Sequence, residues 1–404
     1  MNHWTHLSQS IIALKIRYNI IHNSSGDEGI QLRNVEDAVI EYNHVYATAG
    51  DGINLCCGST GGIIRFNEVH DISSQDAAIY TYDASNTTIE GNLIYDVYTN
   101  GNNDGLRVGN KNGKDAKRGA SVKGNVVHAV AADGIAVYIS DVLVESNEVY
   151  DCYAENGAIY LRFAITNITV CSNSVHDNVL NTTERLTAPA IFIESAVDAA
   201  NVTINYNSIY NNTPYGLTSN ATVQVNATNN WWGANDGPNA SPGSGDKISG
   251  NVTYDPWLVL GVSANPGSIL VGGNTSVITA DMTKNRAGQN TSAQGHIPDG
   301  TQIIFTTNKG SVGSTTVNRT TTNGTAAATL TSSDTVGTAT VCARAPGNPA
   351  HSEECTTVDF VWPKIVGGQV YPINKIAVLA PWLALAAAII AGSVVALRRR
   401  RAQG

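Results

Sequence analysis

Between positions 43 and 95 the chain reads Asn43-His44-Val45-Tyr46, then Gly52-Ile53-Asn54-Leu55, then Asn67-Glu68-Val69-His70 and Asn92-Leu93-Ile94-Tyr95. The asparagine setting, Asn-x-aliphatic followed by Tyr, His or Trp, returns at Asn19, Asn43, Asn67, Asn92, Asn125, Asn147, Asn173, Asn207 and Asn229. The intervals are 24, 24, 25, 33, 22, 26, 34 and 22 residues, an internal repeat with two insertions. A second motif keeps the same register: Gly29-Ile30-Gln31-Leu32, Gly52-Ile53-Asn54-Leu55, Gly105-Leu106-Arg107-Val108, Gly134-Ile135-Ala136-Val137, Ala158-Ile159-Tyr160-Leu161 and Ala190-Ile191-Phe192-Ile193. Short alternating runs divided by Asn, Asp and Gly predict three brief strands per repeat.

A unit of this size cannot bury an apolar face alone, so successive units stack as coils of a parallel solenoid, with like residues in columns about 4.8 Å apart. The recurring asparagine then sits at a bend and bonds its amide to the next one along the axis. This pattern resembles the right-handed parallel β-helix family, which includes pectate lyases and many surface repeat proteins; the resemblance runs from about Ile11 to Leu258. It implies a fold but no single activity, because the family holds lyases, hydrolases, epimerases and non-catalytic binders.

Alternation places the aromatic of each asparagine motif outward, as the file His22, Tyr46, His70, Tyr95, His128, Tyr150, His176, Tyr210 and Trp232. Such a row reads either as a sugar-stacking strip centred on His70, Tyr95, His128, Tyr150 and His176 or as rings that shield strand pairing. The outward column of the glycine motif holds Gln31, Asn54, Tyr80, Arg107, Ala136, Tyr160, Phe192 and Thr218, with no carboxylate. Acid–base cleavage of a glycan needs paired carboxylates, and β-elimination needs acids plus a basic residue. The candidates are Asp104, Asp133 and Arg107, with Asp51 in the same pre-glycine position and an insertion, 110–119, bearing Lys111, Lys114, Lys117 and Arg118. Asp-Gly is also ordinary turn chemistry, and a lysine-rich insertion is ordinary solvated loop. A second insertion, 179–189, contributes Glu184 and Arg185.

The ladder closes with Asn229 to Pro238, whose Trp231 and Trp232, with Trp257, are expected to cover the last coil. This segment resembles the end of β-helix domains in prokaryotic surface proteins. Residues 262–362 show alternating runs between turns, which predicts a β-sandwich. Pro298 to Phe305, Gly310 to Val312 and Asn323 to Leu330 resemble bacterial immunoglobulin-like repeats of the invasin type, implying a spacer or adhesion module. Cys342 and Cys355 fall on its last two neighbouring strands and are expected to pair outside the cell. Cys56, Cys57, Cys152 and Cys171 lack zinc spacing and read as small thiols, so no metal site is expected.

After a linker, 363–375, the stretch 376–397 carries no charge and is long enough to cross a membrane as a helix. Lys375 precedes it and Arg398 to Arg401 follow, so the tail 398–404 is assigned to the cytoplasm and the body to the outside of the envelope. The region resembles C-terminal anchor or sorting segments of prokaryotic envelope proteins. No signal-like apolar run precedes the repeat, so residues 1–258 are expected to be a β-helix lacking its N-terminal part. Sequons such as Asn86, Asn167, Asn201 and Asn251 mark glycosylation acceptors or chance in an Asn-rich chain.

A formal charge of −9 argues against a nucleic-acid partner. The expected fold is therefore all-β, a right-handed parallel β-helix followed by an immunoglobulin-like sandwich and one transmembrane helix. The leading expectation for function is a non-catalytic surface protein that binds polysaccharide or a neighbouring cell. The alternatives are a cell-surface polysaccharide lyase, hydrolase or epimerase, in which calcium is a conceivable cofactor, and a purely structural envelope component.

Overall fold

The computed structural model describes residues 11–73, 76–98, 103–110, 112–113, 118–153, 155–179, 189–240, 243–363 and 375–401. Residues 1–361 form one compact unit and residues 362–404 a second. In the first unit, three parallel sheets of eight, nine and ten strands run along a solenoid, each strand pairing with its counterpart one coil away.

The eight-stranded sheet, here the ladder sheet, starts one residue after each repeated asparagine, as in His44–Thr48, Glu68–Ile72 and Leu93–Val97. The nine-stranded sheet, here the cleft sheet, carries the glycine motif, as in Ile53–Cys56, Asp104–Val108 and Ile159–Leu161. The ten-stranded sheet completes each coil. Alternation sends the aliphatic residues inward, so Val45, Val69, Ile94, Val127, Val149, Val175 and Ile209 are all fully buried in one core.

The asparagine ladder is continuous. The side-chain oxygen of Asn67 accepts both the backbone N–H and the amide N–H of Asn43, at 2.9 and 3.0 Å, and the same pair of bonds recurs coil after coil to Asn207. Each amide nitrogen also reaches a backbone carbonyl, as Asn67 Nδ2 does to Ile40 O at 3.0 Å, so the buried turn is left without unpaired groups. The residue before each ladder asparagine has positive φ, from Tyr18 and Tyr42 through Gly91 and Gly124 to Asn229. That left-handed position fixes the bend and corrects the last rung. The ladder ends on Asn230, which accepts from Asn207 N and Nδ2 at 2.9 and 3.0 Å, while Asn229 occupies the bend and meets Asn285.

A shorter polar file appears five residues past the ladder. Thr48, Ile72, Val97 and Val130 hold this column in the early coils, and then Asn178 accepts from Cys152 N, Asn212 from Asn178, and Asp246 from Asn212 Nδ2 at 2.7 Å. Burial pushes the Asp246 carboxyl up to about 7 against the pull of the Asn212 amide.

Strands Leu258–Asn265, Thr275–Asn285 and Thr325–Thr331 form an antiparallel sheet, and a five-stranded sheet packs with it around one apolar core. The second sheet is antiparallel except where Ser268–Leu270 runs parallel to Glu353–Val361. Cys342 and Cys355 face each other across its strands and are joined by a disulfide. The two tryptophans divide between the cores. Trp232 packs inside the solenoid, while Trp231 belongs to the two-sheet core and donates to Pro346 O at 2.9 Å.

In the second unit, Lys375–Arg401 is one helix, long and apolar enough to cross a membrane, with an 18-residue stretch of mean hydropathy 2.2 and the four arginines in its last turn. Nearly all of the linker lies outside the described residues.

Candidate functional site

The ladder sheet's outer column stacks as the repeat requires. Successive rings of His22, Tyr46, His70, Tyr95, His128, Tyr150, His176 and Tyr210 lie 4.6–5.4 Å apart with interplanar angles of 0–11°. Each ring therefore covers the faces of its neighbours, and only edges turn outward. Sugar stacking requires a free ring face, whereas His70, Tyr95, His128, Tyr150 and His176 turn ring edges and their polar atoms outward. Trp232 is not its ninth member: it lies inward, and Gly233 stands over Tyr210, where a Cβ would approach Tyr210 Cβ to 2.9 Å.

The cleft sheet behaves differently. Its register aligns Asn54, Tyr80, Arg107, Ala136, Tyr160 and Phe192 in one outward column. Large and charged groups flank a single small one. Ala136 leaves room for Tyr138, whose ring meets Tyr160 edge-on at 5.9 Å and lies 5.6 Å from the Arg107 guanidinium. Two residues past the outward column, successive coils place Tyr138, Arg162 and Glu194. Together with Asp104, Arg107, Asp133, Asn112, Glu155, Asn156 and Tyr160 they line a cleft of about 460 Å³.

The three residues singled out from the sequence do meet here, and all three are buried. Asp104, Arg107 and Asp133 are only 1%, 1% and 2% exposed. Arg107 Nε donates to Asp104 Oδ2 at 2.6 Å and Nη1 to Asp76 Oδ1 at 3.0 Å, and Tyr80 also lies beside the guanidinium. Burial pushes the Asp104 carboxyl up to about 8, with Asp133 adding repulsion and Arg107 pulling the other way. Burial works against the Arg107 charge, but the Asp104 carboxylate outweighs it and holds the guanidinium protonated. Asp133 accepts three N–H bonds, from Asn156 N, Asn156 Nδ2 and Gly157 N, at 2.8–3.0 Å, although burial still raises it. Asp51 plays the same turn-fastening role one end away, accepting from Ala77 N and Asn54 Nδ2.

The groups that face solvent in the cleft are others. Glu194 accepts from the Tyr160 hydroxyl and lies 3.4 Å from Arg162 Nε, with side-chain exposures of 29% and 38% for the acid and the arginine. Burial and the Glu194 carboxylate both raise the Tyr160 phenol, which therefore stays a proton donor. Arg162 is packed over Phe163 at 4.7 Å. Reading each coil two positions beyond its outward residue would have found Tyr138, Arg162 and Glu194.

Arg118 does not join the cleft; it pairs with Asp141 at 3.3 Å on the neighbouring turn. Lys111, Lys114, Lys117, Glu184 and Arg185 lie outside the described residues. Among the described residues no three carboxylates converge as a calcium site would require. A larger hollow, about 610 Å³, lies where Glu148, His176 and Tyr210 approach Pro298, Arg344 and Pro346. It is lined by five ionisable residues against eight in the smaller cleft, which is therefore the chemical candidate.

Residues 67–232 match the family model described as right handed beta helix region. No curated protein sequence matches the chain. Among solved structures, a mutant of the periplasmic alginate epimerase AlgG is similar at 17% identity and a TM-score of 0.40, covering 56% of this chain and 47% of that one. The A-module of the Azotobacter vinelandii mannuronan C-5 epimerase AlgE4 is similar at 14% identity and a TM-score of 0.34, covering 60% and 56%. The enzymatically active domain of bacteriophage CBA120 tailspike protein 2 is similar at 9% identity and a TM-score of 0.35, covering 86% and 67%. The chain thus spans about half the length of the epimerase structures it matches. The family match and the coil register agree in making residues 67–232 a right-handed parallel β-helix region.

Proposed function

We propose that this is a membrane-anchored surface protein that binds a hydroxyl-rich polysaccharide in the cleft formed by Tyr138, Asn156, Tyr160, Arg162 and Glu194, without cleaving it. One observation carries the reading: the polar groups of the cleft that reach solvent are the Glu194 carboxylate, backed by the buried Tyr160 hydroxyl, and the Arg162 guanidinium, which lies on the half-buried Phe163 ring. Carboxylates and guanidinium groups accept and donate paired hydrogen bonds to vicinal hydroxyls, and an adjoining aromatic surface receives the apolar face of a sugar. Among the charged groups of the cleft that reach solvent, Glu155 and Glu194 outnumber Arg162, which disfavours a polyanionic chain and favours a neutral one. The helix Lys375–Arg401 serves as anchor, its arginines toward the cytoplasm, and the two-sheet region acts as an immunoglobulin-like spacer.

A catalytic reading has one observation in its favour, the buried Asp104 carboxyl raised to about 8 beside Arg107. Against it, both groups are almost wholly buried and bonded to each other. The test is binding of the full chain in detergent to neutral glucans or mannans and to polyuronates, with reducing ends and ultraviolet absorbance followed in parallel. Saturable binding to a neutral polymer without product supports the proposal. New reducing ends or unsaturated products would establish the enzyme, and no binding to any polymer would leave a structural envelope component.

A further inference from the structure

One residue after each ladder asparagine, the ladder sheet carries a second outward column, Ile20, His44, Glu68 and Leu93 on successive coils. It runs beside the ring file and brings His44 and Glu68 next to His70. His44 Nε2 and His70 Nε2 are 2.7 Å apart, and a Glu68 carboxylate oxygen lies within 4.8 Å of both. We infer that His44, Glu68 and His70 form a binding site for a divalent transition-metal ion of the zinc type, clipping two neighbouring coils together.

Three features separate this cluster from the rest of the file. His70 Nδ1 is 2.7 Å from Asp71 Oδ2. The carboxylate accepts, so the ring proton resides on Nδ1 and the Nε2 lone pair points at His44. A carboxylate behind an imidazole in this manner is the usual support of a metal-bound histidine, fixing the tautomer and raising basicity. Glu68 is held in the same fashion, its Oε1 accepting from the Tyr95 hydroxyl at 2.8 Å, which leaves the other oxygen for a ligand bond. Finally, two nitrogens bound to tetrahedral zinc at about 2.0–2.1 Å stand roughly 3.3 Å apart, so the rings need separate by only about half an ångström.

Elsewhere in the file the set is incomplete. His176 has Glu148 at 3.3 Å and Asp177 at 2.8 Å but no second imidazole. The other described group of three potential ligands contains Cys342 and Cys355, already joined to each other. Two imidazoles with one carboxylate suit zinc, copper or nickel and disfavour calcium, which takes oxygen ligands. Three protein ligands leave a fourth position to water or a bound molecule.

The test uses the full chain without an affinity tag, in detergent, with His3→Ala and His6→Ala so that the leading imidazoles do not contribute. Zinc is titrated against a chromophoric chelator, and cobalt is followed by its visible absorption. The expected result is one tight equivalent with the intense visible bands of tetrahedral cobalt. His44→Ala and Glu68→Gln should abolish the bands and weaken zinc at least tenfold, Asp71→Asn should weaken it about 10–100-fold, and His128→Ala should change nothing. Should His70→Ala fail to fold, His44→Ala decides, since His44 is half-exposed and lies outside the ring file. No tight equivalent, or one that survives His44→Ala, would overturn the inference.

Discussion

The ladder sheet and the cleft sheet are built from the same coils, yet their outer faces differ in kind. On the ladder sheet the column alternates His and Tyr over eight coils, and each ring finds its partner in the next. On the cleft sheet the column changes residue type at nearly every coil, from Tyr80 to Arg107, Ala136, Tyr160 and Phe192. A repeated column satisfies itself and presents little to a ligand. A column that breaks the repeat leaves polar groups whose partners must come from adjoining turns or from outside. On the proposed reading, function in this solenoid follows irregularity, and the same rule marks His44 and Glu68 in the column beside the rings.

The sharpest way to break the contrast is Arg107→Ala. It strands the buried Asp104 without its guanidinium, and loss of one partner of a buried pair should lower stability by about 3–5 kcal/mol in denaturant titration. Asp104→Asn combined with Arg107→Leu should recover part of that loss. Asn147→Ala attacks the repeat itself. It removes the acceptor of two N–H groups of Asn125 and the donor to Val122 O, all buried, and should cost about 2–3 kcal/mol.

Two buried carboxyls make stability depend on pH. Asp104 at about 8 and Asp246 at about 7 are raised above the ordinary carboxylate value, so the folded chain holds more protons than the unfolded one between pH 4 and 8. Stability from these groups is fully present below the unfolded value near 3.8 and is lost as pH rises through 7 to 8. Melting at pH 5 should therefore occur several degrees above melting at pH 8, and Asp104→Asn should reduce the difference. The smallest effect is expected in the ring file, where His128→Ala removes two stacked contacts and should lower stability by about 1–2 kcal/mol with the cleft unaffected.

Much of this was legible because a parallel coil makes register visible as spacing. The intervals between Asn19 and Asn207 set the sheets, the inward aliphatics and both outer columns in agreement with the structure. The final rung was displaced by one because Asn229 and Asn230 stand in tandem, and only the positive φ of Asn229 shows which of them makes the bend. That shift also turned Trp232 inward. Asp104, Arg107 and Asp133 were visible as a cluster, but their burial was not, since alternation assigns Arg107 outward and does not show the Tyr80 and Tyr138 rings beside its guanidinium. Arg162 and Glu194 escaped because they lie past the strand ends, where alternation stops assigning sides. The Asn178, Asn212 and Asp246 file escaped because Ile72, Val97 and Val130 hold its column in the earlier coils.

The central claim is that ligand recognition belongs to the irregular face. Its most direct measurement is the affinity of the full chain for a neutral polysaccharide in two variants, Glu194→Gln and the double change His128→Ala with Tyr150→Ala. The account predicts a loss of about tenfold or more from Glu194→Gln, as expected when charged hydrogen bonds are removed, and an unchanged affinity in the double variant. Binding that withstands Glu194→Gln and disappears with the two rings would contradict it.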